Sequence, residues 1–200
     1  MGRCYGAGSC VRVVTCVILV CFAGLMLSIG IAWHVIEPHE PGFRVRSLSV
    51  SNFSVSDSEL EGKYDVGLTI RNPNKKVQAS LDRFKLWVCY DEAQLAEGGV
   101  EPIHLDLEKM GEKDVVGSGW SSGSGWGEVV GDLGKEWRKE VVKLNVKIQV
   151  GVKYEYGILP SRERVLHVYC GDLRVFFSAK SKHTGKLLSV GGGCHATSIS

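Results

Sequence analysis

The sequence contains no CxxC pair, no HExxH, no phosphate-binding loop and no dinucleotide fingerprint. Those absences remove the commonest zinc, redox and nucleotide sites. Its six histidines, His34, His39, His104, His167, His183 and His195, are scattered along the chain, and no metal or other cofactor is expected. An excess of one charge is also lacking. The formal net charge is +2, and Arg3 and Arg12 account for it; from Glu37 onward 22 basic residues face 22 acidic ones. A dedicated nucleic-acid binder needs a basic footprint, so no nucleic-acid partner is expected. Long apolar runs are absent too, with one exception.

The exception is Val13 to Val35, VVTCVILVCFAGLMLSIGIAWHV. Roughly 20 apolar residues at ~1.5 Å each cover a hydrocarbon core of about 30 Å. A lone segment in lipid must be a helix, because only a helix satisfies its own backbone. Trp33 and His34 stand where an interfacial anchor belongs. The chain then divides into a cytosolic stub (1–12), a transmembrane helix (13–35), a linker (36–42) stiffened by Pro38 and Pro41, a β domain (43–178) and a disordered basic tail (179–200). The positive charges flanking the span, Arg3 and Arg12 before it and Arg44 and Arg46 after it, nearly balance. Arg12 is nearest the apolar run, which favours a cytosolic N-terminus. Asn52-Phe53-Ser54 agrees, since a glycosylation sequon at Asn52 is usable only on the lumenal side. The rival reading is a cleaved signal peptide with Ser28, Gly30 and Ala32 near the cut. The apolar run is longer than the usual core of about 7–15 residues, so an uncleaved anchor is preferred. Gly24, Ser28 and Ala32 recur every fourth position, as on a small-residue face between two copies; small residues are also simply common in membrane helices, and that is the preferred reading.

Seven cysteines divide by region. Cys4, Cys10, Cys16 and Cys21 lie in the stub and span. Cys4 and Cys10 are palmitoylation candidates by position beside the membrane, with plain free thiols as the alternative. Beyond the span are Cys89, Cys170 and Cys194. Cys89 and Cys170 lie on strands that would meet an oxidising lumen; a disulfide between them is one reading, and buried free thiols are the other.

Beyond Pro41 the chain alternates. Phe43 and Val45, then Leu48 and Val50, predict a first strand with a slip of phase, as at a bulge. Tyr64, Val66, Leu68 and Ile70 predict a half-buried strand that stops at Asn72-Pro73-Asn74, where Pro73 cannot donate to a ladder. Phe84 to Tyr90 predict the next strand, and Ile103, Leu105 and Leu107 a short one. GSGWSSGSGWG at 117–127 reads as flexible linker chemistry, with Trp120 and Trp126 conspicuous in it as covers for the core or contacts for cell-wall carbohydrate. Trp126, Val129, Val130, Leu133 and Trp137 then fall at helical spacing. The clearest pattern is Val142 to Tyr154, seven apolar residues alternating with polar ones. A last strand runs from Val165 to Phe177, interrupted near Gly171-Asp172. Short strands with little helix predict an all-β antiparallel sandwich.

One catalytic pattern occurs. Gly119-Trp120-Ser121-Ser122-Gly123 fits the nucleophile elbow of serine esterases, which has meaning only at a sharp strand-to-helix turn with an acid and a histidine to follow. In a Gly/Ser-rich tract of a β domain the match is expected by chance.

A short stub, one span, an alternating strand ending YDVGLTIRNPNKKV and a late strand carrying VLHVYCGDLRV together resemble the plant harpin-induced-like and non-race-specific disease resistance-like family. Its members carry a group-two late-embryogenesis-abundant domain. The resemblance covers Phe43 to Phe177, with Asn72-Pro73-Asn74 its most specific mark. It implies a seven-stranded sandwich similar to fibronectin type III domains, with no known catalytic activity. It also implies a membrane protein, often of the plasma membrane, tied to pathogen defence and abiotic stress. Partners are then the membrane, other membrane or cell-surface proteins, and a second copy. A lipid-binding or lipid-transfer sandwich is the alternative. The 117–127 insert is unusual for such proteins.

Overall fold

The computed structural model describes residues 7–35, 37–56, 59–105, 112–124, 127–157, 159–179, 181–189 and 193–199. The chain divides into two compact units, 1–38 and 39–200. In the first, helix α1 (Ala7–Val35) covers the apolar run. Its stretch Gly8–Ile31 is long and apolar enough to cross a membrane, and a signal sequence passes the same test. At ~1.5 Å per residue that stretch measures about 36 Å, against a hydrocarbon core of roughly 30 Å. Two polar side chains in it turn back onto the helix. Thr15 Oγ1 donates to the Val11 carbonyl and Ser28 Oγ to the Leu25 carbonyl, both at 2.8 Å, as hydroxyls in lipid must.

The second unit is antiparallel β with one short helix. Its strands are β1 (Gly42–Val55), β2 (Glu59–Arg71), β3 (Gln78–Tyr90), β4 (Ala93–Gly99), β5 (Ile103–Leu105) and β6 (Glu112–Ser124). Helix α2 (Gly127–Arg138) follows, then β7 (Val141–Tyr156), β8 (Leu159–Phe177), β9 (Gly185–Leu187) and β10 (His195–Ile199). One layer holds β1, β2 and β6; the other holds β3, β7 and β8, with β10 beside β8. The expected antiparallel sandwich is present, but with ten strands in place of seven. Its sides are also sealed. β4 pairs with both β3 and β6, and β9 with both β1 and β8. Eight strands therefore form a closed circuit, β8-β7-β3-β4-β6-β2-β1-β9, and closure removes the exposed edges that invite wrong pairing.

The period-2 pattern sets the core. On β7, Val142, Leu144, Val146, Ile148, Val150, Val152 and Tyr154 are each no more than 1% exposed. Their partners across the ladders, such as Leu86 and Val168 beside Ile148, are buried as well. The phase slips in the sequence are bulges. The β1 register shifts between Val45 and Ser47 and again between Ser51 and Ser54. Asn52, Arg83 and Asp172 have φ of 53°, 50° and 57°, and each lies at a register shift, where an extra residue is absorbed by a left-handed backbone. The interruption expected near Gly171-Asp172 is thus a bulge inside one continuous strand that starts at Leu159.

Two expectations are overturned. Residues 117–124 are not a linker but part of β6, paired with β2 along its length and with β4 at Ser118, Gly119 and Trp120. The glycines are there for close approach. A Cβ on Gly98 would stand 2.1 Å from the Ser118 carbonyl oxygen, and one on Gly117 would meet Val100 at 2.8 Å. Nor is the described part of the tail without structure. Residues 181–189 and 193–199 lie against β1 and β8, so the domain extends past 178. Gly185 and Lys186 pair with β1 and β8 together, Gly193 bridges to Arg44, and β10 continues along β8. Gly185 sits where a Cβ would meet Val175 at 2.6 Å and Phe177 at 2.7 Å, so glycine marks tight packing there. Strand β4, AQLAEGG, has too little apolar alternation to be found by pattern. The expected strand member Leu107 and the helix residue Trp126 lie outside the described residues. Of the remaining helix positions, Val130 and Leu133 are buried and Val129 and Trp137 pack against the core.

Candidate functional site

The Asn72-Pro73-Asn74 motif forms a clamp where the chain enters the domain. Pro73 has no N–H, so the ladder of β2 ends at Arg71. The buried Asn72 then uses both ends of its amide. Its Oδ1 accepts from the Asn74 N–H at 3.0 Å and from Asn74 Nδ2 at 2.9 Å, and its Nδ2 donates to the Val77 carbonyl at 2.9 Å. Asn74 reaches further back. Its Oδ1 accepts from the His39 N–H at 2.8 Å and its Nδ2 donates to the His39 carbonyl at 2.7 Å. One side chain thus holds both backbone groups of the first residue of the domain, as a neighbouring strand would. Little of the motif's hydrogen-bonding capacity is left for an outside partner.

The disulfide joins Cys170 to Cys194, which corrects the candidate Cys89–Cys170 pair. The reason is spacing. Cys89 is on β3 and Cys170 on β8, with β7 between them. Two strand spacings make roughly 9–10 Å, beyond the Cα separation of about 7 Å that a disulfide tolerates. Cys194 lies in the tail beside β8, with its Cα 4.4 Å from that of Cys170, and its N–H donates to the Phe43 carbonyl of β1 at 3.1 Å. The bond therefore pins the closing strand at the seam. Cys89 is a free, buried thiol, and burial pushes its pKa up, so it is a poor nucleophile. Of the two palmitoylation candidates, Cys10 is disulfide-bonded and offers no thiol to an acyl chain in this state. Cys4 lies outside the described residues.

The sequon residue Asn52 is exposed in its left-handed bulge. Beside it Phe53 is buried, and its backbone is held by His183 of the tail, N–H to carbonyl at 3.0 Å and Nδ1 to carbonyl oxygen at 2.8 Å. Phe53 stacks with Trp137 and Phe177. Trp137 and Phe177 line a cleft of about 220 Å³ with Arg138, Glu140, Ala179 and Lys182.

Ser121 is not at an elbow. It sits in mid-strand opposite Gly62, is 2% exposed, and its Oγ donates to the Gly62 carbonyl at 3.3 Å. The buried Tyr64 hydroxyl has no hydrogen-bond partner among the described residues. Burial pushes the Tyr64 phenol up to about 12, and the nearby Ser121 hydroxyl opposes that shift. Sequence pattern marked Ser121 as a nucleophile; the structure makes it a polar partner in the core. What pattern missed is Cys194, whose only signal was a cysteine in a segment without apolar periodicity.

No protein-family model matches the chain. Curated relatives do, all from Arabidopsis thaliana. NDR1/HIN1-like protein 2 is 22% identical over 153 residues, which is 72% of this chain and 61% of the relative. NDR1/HIN1-like protein 1 is 26% identical over 168 residues, 80% of this chain and 77% of the relative. NDR1/HIN1-like protein 10 is 22% identical over 197 residues, 92% and 82% respectively. The match to the first of these spans less than two thirds of that relative's length. Several such matches, each spread over most of a chain that pairs a bilayer-length helix with a β domain, agree with the resemblance read from the Asn-Pro-Asn strand and support the NDR1/HIN1-like family for this chain.

Proposed function

We propose that this chain is a non-enzymatic, single-pass membrane protein of plants whose β domain stands outside the cytoplasm, most naturally at the plasma membrane. It acts through protein contacts in defence or abiotic-stress responses. The observation that carries the reading is one chain that joins an apolar helix of bilayer length to a β domain closed by a disulfide. Disulfides persist in oxidising compartments, which favours the lumenal or extracellular side for the domain. The disulfide at Cys10 lies in the first turn of the helix, and one oxidising compartment cannot hold both bonds if the helix spans. The domain's bond, tied into paired strands, is the one that sets the orientation in this reading. We read the barrel as the group-two late-embryogenesis-abundant domain of the family, and other membrane proteins or a second copy as its partners. The interior supports contact over lipid cargo, because Tyr64, Tyr154, Phe53 and Phe177 fill it.

The test is protease protection of the chain tagged at each end, in microsomes, together with the variant Asn52→Gln. The C-terminal tag is expected to be protected inside the vesicle and the N-terminal tag digested. Wild type carries a glycan removable by endoglycosidase that Asn52→Gln lacks. A freely soluble cytosolic product, or a C-terminal tag on the cytosolic side, sinks the proposal.

A further inference from the structure

The cross-strand register lines up one row of outward residues across six neighbouring strands. Trp120 of β6 stands opposite Glu97 of β4, and Glu97 opposite Trp87 of β3. Trp87 stands opposite Lys147 of β7, Lys147 opposite Tyr169 of β8, and Tyr169 opposite His195 of β10. Aromatic rings thus occupy every second strand, about 10 Å apart along the backbone, with a charged or imidazole side chain between. The next row continues the chemistry with Lys85, Gln149 and His167.

Cross-strand pairing alone accounts for part of this, since such pairs stabilise a sheet. It does not account for the exposure. Trp120 is 53% and Tyr169 44% exposed, with Trp87 half-buried between them, although rings used as core covers lie mostly buried. Tyr169 is also laid flat. A Cβ on Gly171 would meet its ring at 3.0–3.3 Å, so the ring lies along β8 over a glycine and presents its other side outward. Around Trp87 and Tyr169, Lys85 and Lys147 make no ion pair among the described residues, and Glu97 is the acid in the row.

We propose that the outer face of β6, β4, β3, β7, β8 and β10 binds an extended acidic polysaccharide, a chain whose sugar rings carry carboxylates. The aromatic rings stack on the C–H faces of the pyranoses at intervals of about a disaccharide. Lys85 and Lys147 pair with the carboxylates, while Gln149 and His167 offer hydrogen bonds to hydroxyls. A lipid surface fits less well, because the rings stand singly and form no continuous apolar patch. The inference rests on the orientation proposed above only for where the polymer is met; binding itself does not depend on it.

The test uses the full chain in detergent micelles on a sensor surface. The probes are polygalacturonate, a neutral (1→4)-linked glucan and phosphatidylserine vesicles. Polygalacturonate is expected to bind, and the neutral glucan at least about tenfold more weakly. Tyr169→Ala costs about tenfold, the scale of one stacking contact, and Lys147→Glu at least that much. Both positions face outward, so the melting temperature of each variant stays at the wild-type value and separates lost binding from lost fold. Absence of polygalacturonate binding, undiminished binding by both variants, equal affinity for the neutral glucan, or capture by vesicles alone overturns the proposal. Protease protection fails independently, so the two ideas can be told apart.

Discussion

Replacing Cys194 by serine should release the strand that closes the barrel. The magnitude follows from the loop. Cys170 and Cys194 are separated by 24 residues, and cross-linking a loop of that size removes chain entropy worth about 3 kcal/mol from the unfolded state. The substitution is otherwise mild, because Cys194 is only partly buried and lies beside the core. For a domain of about 160 residues, each kcal/mol moves the melting temperature by roughly 2–4 °C, so the expected drop is about 6–12 °C. Near-ultraviolet circular dichroism of the full chain in detergent follows the packed aromatics of the domain over a background from the aromatic residues of α1 that the substitution leaves unchanged. Cys170→Ser should match it apart from the cost of a hydroxyl in the core, and the double variant should be no worse than Cys170→Ser, since the bond can be lost only once. Cys89→Ser supplies the contrast, because Cys89 is a free thiol and its loss opens no loop. A drop below about 2 °C for Cys194→Ser, or additive losses in the double variant, refutes the pinned seam.

Three further outcomes follow. Ile148→Asp places an unpaired charge in the core and should cost at least about 4 kcal/mol, read as loss of the folded circular-dichroism spectrum. Asn74→Ala removes the clamp on His39 and should cost about 1–3 kcal/mol; faster amide exchange confined to His39 and the turn is its signature, and an unchanged exchange pattern contradicts the clamp. Tyr64 governs alkaline stability. Its phenol, raised to about 12 in the fold, titrates near 10 in the unfolded chain, so the unfolded state sheds its proton first as pH rises. The contribution is complete below pH 10 and falls away between about 10 and 12, by up to about 3 kcal/mol. Tyr64→Phe should flatten that decline in a pH series of thermal melts, and an identical decline in the variant assigns it elsewhere.

How far the fold could be read in advance varies by segment, for physical reasons. β7 was legible from Val142 to Tyr154 because one face meets the core while Lys143, Asn145, Lys147, Gln149 and Lys153 on the other reach solvent wholly or in part. The membrane helix was legible because its composition is uniform. The bulges showed as phase slips, since an extra residue inverts the alternation. Residues 117–124 and 185–187 were illegible for the opposite reason. Both strands close the barrel at places so tight that glycine is what fits: Gly98 against the Ser118 backbone, Gly117 and Gly185 against neighbouring side chains. Glycine written for close approach is the same letter as glycine written for freedom, and hydropathy cannot separate them. The disulfide partner was hidden in consequence. A tail read as disordered takes Cys194 out of consideration and leaves Cys89 as the candidate bridge to Cys170, which the pairing of β3, β7 and β8 places a strand too far, while the free-thiol reading holds for Cys89.

Closure also bears on how such a domain can recognise anything. An open sandwich can accept a partner's strand at its edge, with backbone hydrogen bonds supplying affinity. Here β4 and β9 seal the two sides, and the free edges left in the described sheet belong to the short strands β5 and β10. Strand addition along a full edge would first require the tail to leave β1 and β8, breaking the pairs of Gly185 and Lys186 and the Cys170–Cys194 bond. Recognition therefore falls to side chains on the outer faces and at the ends of the barrel. That is where Trp87, Lys147 and Tyr169 stand in one row, and where specificity has to come from spacing and charge.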